Sequence, residues 1–462
     1  MQYAGGVDVT ITSGSTEEDL VHRDAVALVV AFHPDPAYLG RHVELGSGSL
    51  TFGRDHPDSD LALHLDRRMS RSHAEVIRLR DELVVRDLRS RNGTWVNGQQ
   101  VRHQSLRDGD VIRIGSLALV VRWLTARDDL PELRTVKLLG CGPGHATLLH
   151  NIASFGPRAS VVLIEGRPGV GKGLIARALH ETSGRAGPFV TFDCGAVSPG
   201  VMHSELFGHA AGAFSGARSR RGGMIEQARG GTLFLDEIGD ASPELQSSLL
   251  RLLEEGEYRP VGHDKPILAD VRVVAATNRD LDAAVRAETF RFDLLTRLRR
   301  LWLRVPALAD RIEDVPLLAT HFARRHLHPT ATLHRQLAFA LLQHGWPGNV
   351  RELDAVVERA AVRADGETLL RWHDGLIPTP TTDTDPSVPP GAPREDPSLA
   401  PPSRSSPTPP AKRARKPGRD ELITLLKAKD GNVTHLAREM GVARHTVYRW
   451  VKDAEIDLED LR

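Results

Sequence analysis

The chain of 462 residues carries only two cysteines, Cys141 and Cys194. Two thiols cannot build a disulfide framework, so a cross-linked secreted scaffold is excluded and both are expected to be small, buried, reduced side chains. Net charge is missing as well, because 60 acidic residues offset 60 basic ones. Any nucleic-acid contact must then come from a local patch and not from the field of the whole molecule. No apolar run is long enough to cross a bilayer. The opening stretch, "MQYAGGVDVTITSGSTEEDL", has acids and no apolar core, which does not fit a secretory leader. These absences lead to the expectation of a cytoplasmic chain with no membrane partner. The 21 histidines are scattered, and the group His321, His326 and His328 lacks ligand spacing and reads as a solvated helix face.

What is present is modular, and the length predicts about three domains. After a tail at 1–24, residues 25–124 hold short β-rich runs ("AVALVVAF", "HAEVIRLR", "ELVVRDL", "VIRIGSLALVVRWL") split by the turn signals "RNGT", "VNGQ" and "RDGD". Strands at this spacing predict a β-sandwich. Residues 135–375 instead alternate buried strands ("SVVLIEG", "TLFLDE", "VRVVAAT") with helical runs ("KGLIARALHET", "PELQSSLLRLLEEG"), the pattern of a parallel α/β sheet. A spacer at 376–419 follows: 13 of the 29 prolines fall in 378–417, and its end is basic. Such a segment buries too little to offset its ordering entropy. Residues 420–462 return to a helical pattern.

The chemistry concentrates in the α/β segment. The strand "SVVLIEG" runs into Gly166-Arg167-Pro168-Gly169-Val170-Gly171-Lys172-Gly173 and then a helix. Glycines there let backbone N–H groups face nucleotide phosphates, the helix N-terminus adds positive potential, and Lys172 reaches the β and γ phosphates. Gly173 stands where a P-loop usually offers a hydroxyl to Mg²⁺. The strand "GGTLFLDE" ends in Asp236, a candidate Mg²⁺ ligand, and Glu237, a candidate for polarising the attacking water. A third strand ends in Thr277 and Asn278, polar groups suited to sensing the γ-phosphate. Arg291 and Arg297 are candidates for a fixed cation at that phosphate. One stretch has no chemistry of its own: Gly212-Ala213-Phe214-Ser215-Gly216-Ala217 places a lone ring on a glycine-framed loop, ahead of Arg218, Arg220 and Arg221.

Two further sets flank this segment. In the sandwich, Arg54, Ser70, Arg71 and Asn92 fall on loops that can converge on a phosphate, with His73 as a loop brace. At the C-terminus, Ala437, Gly441, Val447 and Trp450 have helix-turn-helix spacing. A second helix there would turn Arg444, His445, Thr446, Tyr448, Arg449 and Lys452 toward DNA.

The segments "GRPGVGKG", "SELFGHAAGAFSGA", "GGTLFLDEIGD", "LQSSLLRLLEEGEYRPVG", "VRVVAATNRDL", "FRFDLLTRL" and "GWPGNVREL" occur in this order. Residues 135–375 resemble, on these segments, the AAA+ domain of bacterial enhancer-binding proteins, the activators of sigma-54 RNA polymerase. The resemblance implies an ATPase using ATP and Mg²⁺ and assembling as a homo-oligomeric ring, a hexamer. It implies that Arg291 and Arg297 reach a neighbour's ATP, that Arg351 is the sensor arginine of a helical lid, and that residues 212–217 are the sigma-54 contact loop. Four positions depart from the family: Arg167 and Pro168 replace Glu and Ser, Gly173 replaces an acid, and Asp193 stands where Asn restrains the catalytic Glu. Asp193 is therefore expected to repel Glu237. In the contact loop, Ser215 replaces Thr.

On "FGRD", "RRMSRSHAEV" and "DLRSRNGTWVNG", residues 25–124 are similar to the forkhead-associated (FHA) domain. This implies a phosphothreonine reader whose Arg54, Ser70 and Arg71 grip the phosphate while Asn92 holds the peptide backbone; its partner would be a phosphothreonine protein or a Ser/Thr kinase. Residues 420–462 resemble the Fis-type DNA-binding domain, implying double-stranded DNA at an upstream site as a partner. The combined expectation is a sigma-54-dependent transcription activator. The alternative is a DNA-binding repressor whose AAA+ domain serves only nucleotide-dependent assembly, without sigma-54 contact.

Overall fold

The computed structural model describes residues 25–377, apart from 47, 56–60, 62, 64–65, 80–81, 125–137, 197–198, 215–218 and 365. Its contacts divide the chain into one compact unit ending at Pro380 and a second from Thr381 to Arg462. The second unit lies outside the described residues, and with it the expected helix-turn-helix and nearly all of the spacer.

Ten strands open the described chain: β1 (Ala25–Phe32), β2 (His42–Leu45), β3 (Gly48–Phe52), β4 (Ala74–Leu79), β5 (Glu82–Asp87), β6 (Thr94–Val96), β7 (Gln99–Val101), β8 (His103–Leu106), β9 (Val111–Ile114) and β10 (Leu117–Leu124). They form a sandwich of a six-stranded sheet, β2-β1-β10-β9-β6-β7, and a four-stranded sheet, β3-β4-β5-β8. Alternation decides which side chains go inside: Val76 of β4 and Leu83 and Val85 of β5 are buried between the sheets, while Glu82 and Arg86 are exposed. β1 and β10 break this rule, being buried on both faces almost throughout.

The α/β domain follows. Its parallel sheet has the order β12-β15-β18-β11-β19, built from β11 (Val162–Glu165), β12 (Phe189–Asp193), β15 (Thr232–Asp236), β18 (Arg272–Thr277) and β19 (Leu301–Arg304). Helices α1 (Pro143–Phe155), α2 (Lys172–Glu181), α3 (Pro199–Phe207), α4 (Met224–Gln227), α5 (Pro243–Glu255), α6 (Leu281–Arg286) and α7 (Phe292–Leu298) connect and cover it, with the two-residue pairs β13–β14 (Gly208–His209 with Arg221–Gly222) and β16–β17 (Glu257–Tyr258 with Ile267–Leu268). The local signals are legible in α5. The Ser242 side chain caps it by accepting from Leu245 N at 3.3 Å, Pro243 fills its first turn, and Gly256 ends it in the left-handed region. A lid completes the unit: α8 (Asp314–His326), α9 (Arg335–Leu342) and α10 (Asn349–Val362), with β20 (Thr332–Leu333) parallel to β21 (Leu369–Leu370).

The outer faces of β1 and β10 are dry because the lid lies on them. Phe32, Ala118 and Val120 of the sandwich share one hydrophobic core with Ile312, Val315, Phe322 and Phe339 of the lid, and the Phe32 and Phe339 rings meet edge to face at 5.8 Å. Inside this contact Arg122 of β10 donates from Nε to Glu313 Oε1 at 3.1 Å, from its Nη2 to Glu313 Oε2, and to the Asp310 carbonyl at 2.9 Å. Asp108 takes Nη1 at 3.0 Å. The Glu313 side chain is 1% exposed. Burial pushes its carboxyl up, and Arg122 opposes that shift. Burial lowers the Arg122 guanidinium, but Glu313 and Asp108 outweigh it and hold it charged.

A buried pair gains little net stability over an apolar pair, yet removing one partner strands a charge. Arg122→Met is therefore expected to destabilise the full chain by about 3–5 kcal/mol, and Arg122→Met with Glu313→Leu to regain most of it. Denaturant titration of both variants measures this, and equal stability for the single and double variants contradicts it.

Candidate functional site

The loop between β11 and α2 carries the glycine-rich segment at the carboxyl edge of the parallel sheet, where open α/β sheets bind ligands. Gly169 and Gly171 have φ of +77° and +101°. A Cβ on Gly169 would stand 2.4 Å from the Gly348 carbonyl oxygen, so only glycine lets the lid close on this loop. The lid holds on by three further contacts: Asn349 Nδ2 donates to the Pro168 carbonyl at 2.9 Å, Arg351 N to the Gly169 carbonyl at 3.3 Å, and Arg311 Nη2 to the Val170 carbonyl at 3.2 Å. The Val170 side chain packs into the domain core, and its carbonyl is taken by Arg311, which leaves its N–H as the part available to a ligand.

A cavity of about 640 Å³ opens here, within the usual range for small-molecule sites. Lys172, Gly173, Asp236, Glu237, Asn278 and Arg351 line it, together with Pro168, Gly169 and Gly171. Gly166 and Arg167 open instead onto a second cavity, which Asn278 also borders. Lys172 is 7% exposed and donates to Glu237 Oε1 at 3.0 Å and to the Gly166 carbonyl at 3.2 Å. Glu237 has φ of +48°, a cost of about 1–3 kcal/mol for a side-chain-bearing residue. Its carboxylate is fixed on the other side by the Asn278 N–H, which reaches Oε2 at 3.0 Å. The geometry thus aims one carboxylate between a lysine and a main-chain amide.

Burial, with repulsion from Glu237 and Asp193, raises the Asp236 carboxyl from its ordinary value, against the Glu237 N–H and Lys172. Asp193, expected from the sequence to repel Glu237, acts on Asp236. It pairs in register with Asp236 on the neighbouring strand, and its Oδ1 accepts from Gly195 N at 2.8 Å and Ala196 N at 3.2 Å. Its charge helps raise Asp236, and Glu237 has Lys172 as its partner. Cys194 and Cys141 are buried free thiols, and burial among these acids pushes Cys194 up to about 12.

Arg291 and Arg297 lie outside this cavity. Arg291 precedes α7 and binds Asp293 at 2.7 Å; Arg297 binds Glu254 at 2.9 Å. Phe214 is 47% exposed on the connection between β13 and β14. Its ring meets His209 at 4.9 Å, and Ala213 N donates to the Ala210 carbonyl at 3.3 Å. Arg220 and Arg221 are not free cations, since Glu226 and Glu205 hold them. Ser215, Gly216 and Ala217 lie outside the described residues, as do Arg444, His445, Thr446, Tyr448, Arg449 and Lys452.

The second set comes together at one end of the sandwich. Arg54 N donates to the Ser70 carbonyl at 3.0 Å, Arg91 N to Ser70 Oγ at 3.0 Å, and Asn92 Nδ2 to the Arg68 carbonyl at 2.6 Å. Arg71 follows on the same loop, and its carbonyl accepts from Asp55 N at 3.2 Å. His73, fully buried, ties the loops: Nδ1 accepts from Ser70 N at 3.1 Å and Nε2 pairs with the Gly93 carbonyl at 3.2 Å. No group of metal-ligating side chains occurs among the described residues, and none of their helices is long and apolar enough to cross a membrane. His326, placed on a solvated face from the sequence, is held by Asp354 at 2.6 Å.

Sequence reasoning passed over Asn349 and Arg311. Asn349 also accepts from Leu308 N at 2.9 Å, so one buried amide joins the lid to the glycine-rich loop. Its signal was its place in "GWPGNVREL", next to Arg351.

A glycine-rich loop at the edge of a parallel sheet, clasped by a helical lid and joined to a β-sandwich, defines a lidded P-loop domain with an accessory module. Three family models match the chain: the sigma-54 interaction domain over residues 138–304, the AAA+ ATPase lid domain over 309–374 and the FHA domain over 50–115. The transcriptional regulatory protein ZraR of Escherichia coli K12 is 40% identical over 315 residues, covering 67% of each chain. ZraR of Salmonella typhimurium LT2 is 39% identical over 329 residues, 69% of each chain. The DNA-binding transcriptional regulator NtrC of a Bradyrhizobium strain is 46% identical over 237 residues, 50% of this chain and 49% of that protein. The chain belongs to the family of sigma-54 activators, here with an FHA domain.

His73 offers a test of the sandwich loops. Burial lowers its imidazole below 6.5, against the Gly93 carbonyl and Asp87, which pull it up. A base depressed in the folded state gives stability that is full above its unfolded pKa and fades as pH falls through the folded one. Stability is expected to decline as pH drops below about 6.5, and His73→Gln, less stable throughout, to decline less over the same window. Thermal melts across pH measure this; parallel profiles contradict it.

Proposed function

We propose that the protein activates transcription by sigma-54 RNA polymerase in the cytoplasm, using ATP hydrolysis in a homo-oligomeric ring, and that its FHA domain places this activity under the control of a phosphothreonine-bearing protein. The observation that carries this reading is the Glu237 carboxylate, fixed between Lys172 and the Asn278 amide inside a lidded cavity lined by the glycine-rich loop.

ATP is the substrate. The backbone amides from Gly169 to Gly173 and the first turn of α2 suit its phosphates, and Lys172 supplies the compact cation they need. A single carboxylate, Asp236, suits Mg²⁺, which keeps several of its waters. Glu237 is the base that orients water and takes its proton. Arg351 lines the cavity from α10, so lid position and nucleotide occupancy are linked. Arg291, exposed, and Arg297, half-buried, lie outside their own cavity and would serve a neighbouring subunit. Such use of one subunit's arginines by the next implies a heterologous interface closing into a ring.

Phe214 is the contact residue for sigma-54, an exposed ring among small residues at the tip of a connection. Arg54, Ser70 and Arg71 grip a phosphate at the sandwich loops, and Asn92 holds the peptide. Residues 420–462 tether the molecule to DNA through the second-helix residues from Arg444 to Lys452, and the spacer at 376–419 gives them reach.

Lys172→Ala is expected to abolish ATPase activity. Glu237→Gln should retain ATP binding while hydrolysis falls by about 10²–10⁴-fold. Phe214→Ala should hydrolyse ATP normally and form no open complex on a sigma-54 promoter. ATPase rates and in vitro transcription measure the three. A wild-type ATPase rate equal to that of Lys172→Ala, or full transcription by Phe214→Ala, overturns the reading.

A further inference from the structure

The seam between sandwich and lid carries cations that have no carboxylate partner among the described residues. Phe339 of α9 takes the guanidinium of Arg113, from β9, at 5.0 Å from the ring centre. The same guanidinium covers the Trp95 ring at 4.1 Å. Trp95 Nε1 in turn donates to the Asn92 carbonyl at 3.3 Å, and Asn92 Nδ2 binds the Arg68 carbonyl. The chain of contacts therefore runs from the phosphate-side loops of the sandwich, through Trp95 and Arg113, to the lid.

Arg335 sits one turn before Phe339, so both project on the same side of α9. Burial and then Arg68 lower Arg335; burial and then Arg335 lower Arg113. Among the described residues, no carboxylate is within ion-pair distance of Arg68, Arg113 or Arg335. Among the described residues Asp66 is the acid that acts on Arg335, and its oxygens are engaged by Ser116 N at 2.7 Å, Ser116 Oγ at 3.1 Å and Arg68 N at 3.0 Å. Burial, with Arg335, Arg371 and Arg68, lowers His334 and favours its neutral form, and Arg371 is held by Glu367 at 3.2 Å. At Arg113 a cavity of about 540 Å³ opens between the domains, walled also by Trp95, Phe339, Gln343 and His344.

We propose that this seam is a composite docking surface, on which a partner protein's phosphothreonine segment, gripped by the sandwich loops, continues onto the lid and places acidic side chains against Arg335 and Arg113. The inference rests on the phosphothreonine reading of the FHA domain and adds to it a lid contribution to partner choice. Uncompensated cations at a junction favour an anionic ligand and reject a basic one. A ligand seated this way touches both bodies.

The test uses the full chain and a degenerate phosphothreonine peptide library, with sequencing of the captured peptides. Wild type is expected to enrich Asp and Glu at positions flanking the phosphothreonine. Arg335→Glu, with an unchanged melting temperature, should lose that enrichment by about threefold or more, the scale of one exposed ion pair. It should keep its requirement for the phosphate, and Arg335→Lys should keep both. Arg54→Ala should lose phosphate-dependent capture altogether. Phosphate-dependent capture without acidic enrichment, or enrichment untouched by Arg335→Glu, overturns the composite surface alone. Absence of phosphate-dependent capture by wild type overturns the phosphothreonine reading and the inference together.

Discussion

Glu313 is the side chain on which the arrangement of the described unit depends. Its two carboxylate oxygens face Arg122, which comes from the sandwich 191 positions earlier in the chain. It also lies against the entry to the α/β domain: a Cβ at Gly142 would stand 1.8 Å from Glu313 Oε1, and Cys141 Sγ reaches the Glu313 carbonyl at 3.5 Å. Its neighbour Asp314 accepts from Cys141 N at 2.7 Å and Gly142 N at 3.3 Å. Arg311, three residues before Asp314, reaches the glycine-rich loop at Val170. One short stretch at the start of α8 therefore touches sandwich, domain entry and nucleotide loop. Desolvating a carboxylate costs several kcal/mol, so this arrangement tolerates only docking positions that bring Arg122 into reach. The pair contributes orientation, and the apolar contact around Phe32 and Phe339 contributes the area.

That constraint ties two sites together. Sandwich and lid share a core, and the lid clasps the glycine-rich loop through Asn349 and the Arg351 amide. A displacement of the lid relative to that loop would have to carry the sandwich with it or break the Arg122–Glu313 contact. The second course leaves two charges in an apolar seam, so it is the costlier one. The acids at the cavity follow a related logic. Asp193, Asp236 and Glu237 crowd the strand ends, and each has a separate device to contain its charge. Asp193 turns to the backbone amides of its own loop, Glu237 takes Lys172, and Asp236 shifts upward.

The sandwich and the α/β domain were legible in the sequence because both declare themselves locally. Strand alternation, turns such as "VNGQ" and the strand–glycine–helix run at 160–182 need no long-range information. Asn97 and Gly98 take positive φ in that turn, as a tight hairpin requires. Lys172, Asp236, Glu237 and Asn278 could be gathered from sequence because each ends a strand or starts a helix of one parallel sheet, and topology brings such ends to one edge. The docking of the sandwich was not legible in the same way. Glu313 is an ordinary charged residue by composition, and nothing local marks it as the partner of Arg122. Asn349 was passed over because a buried amide looks in sequence like any loop asparagine.

One signal of the docking was nevertheless present. An antiparallel strand with a solvated face alternates, and "AVALVVAF" does not. Nor does "LALVVRWL", apart from the single charge at Arg122. Two neighbouring strands without polar alternation require cover on both faces, and a sandwich supplies only one. A second body was therefore needed over β1 and β10, and the lone charge in that dry surface needed an acid from it. Arg122 is thus the informative residue: a charged side chain in an otherwise apolar strand marks where a partner domain must bring a carboxylate, and Glu313 answers it.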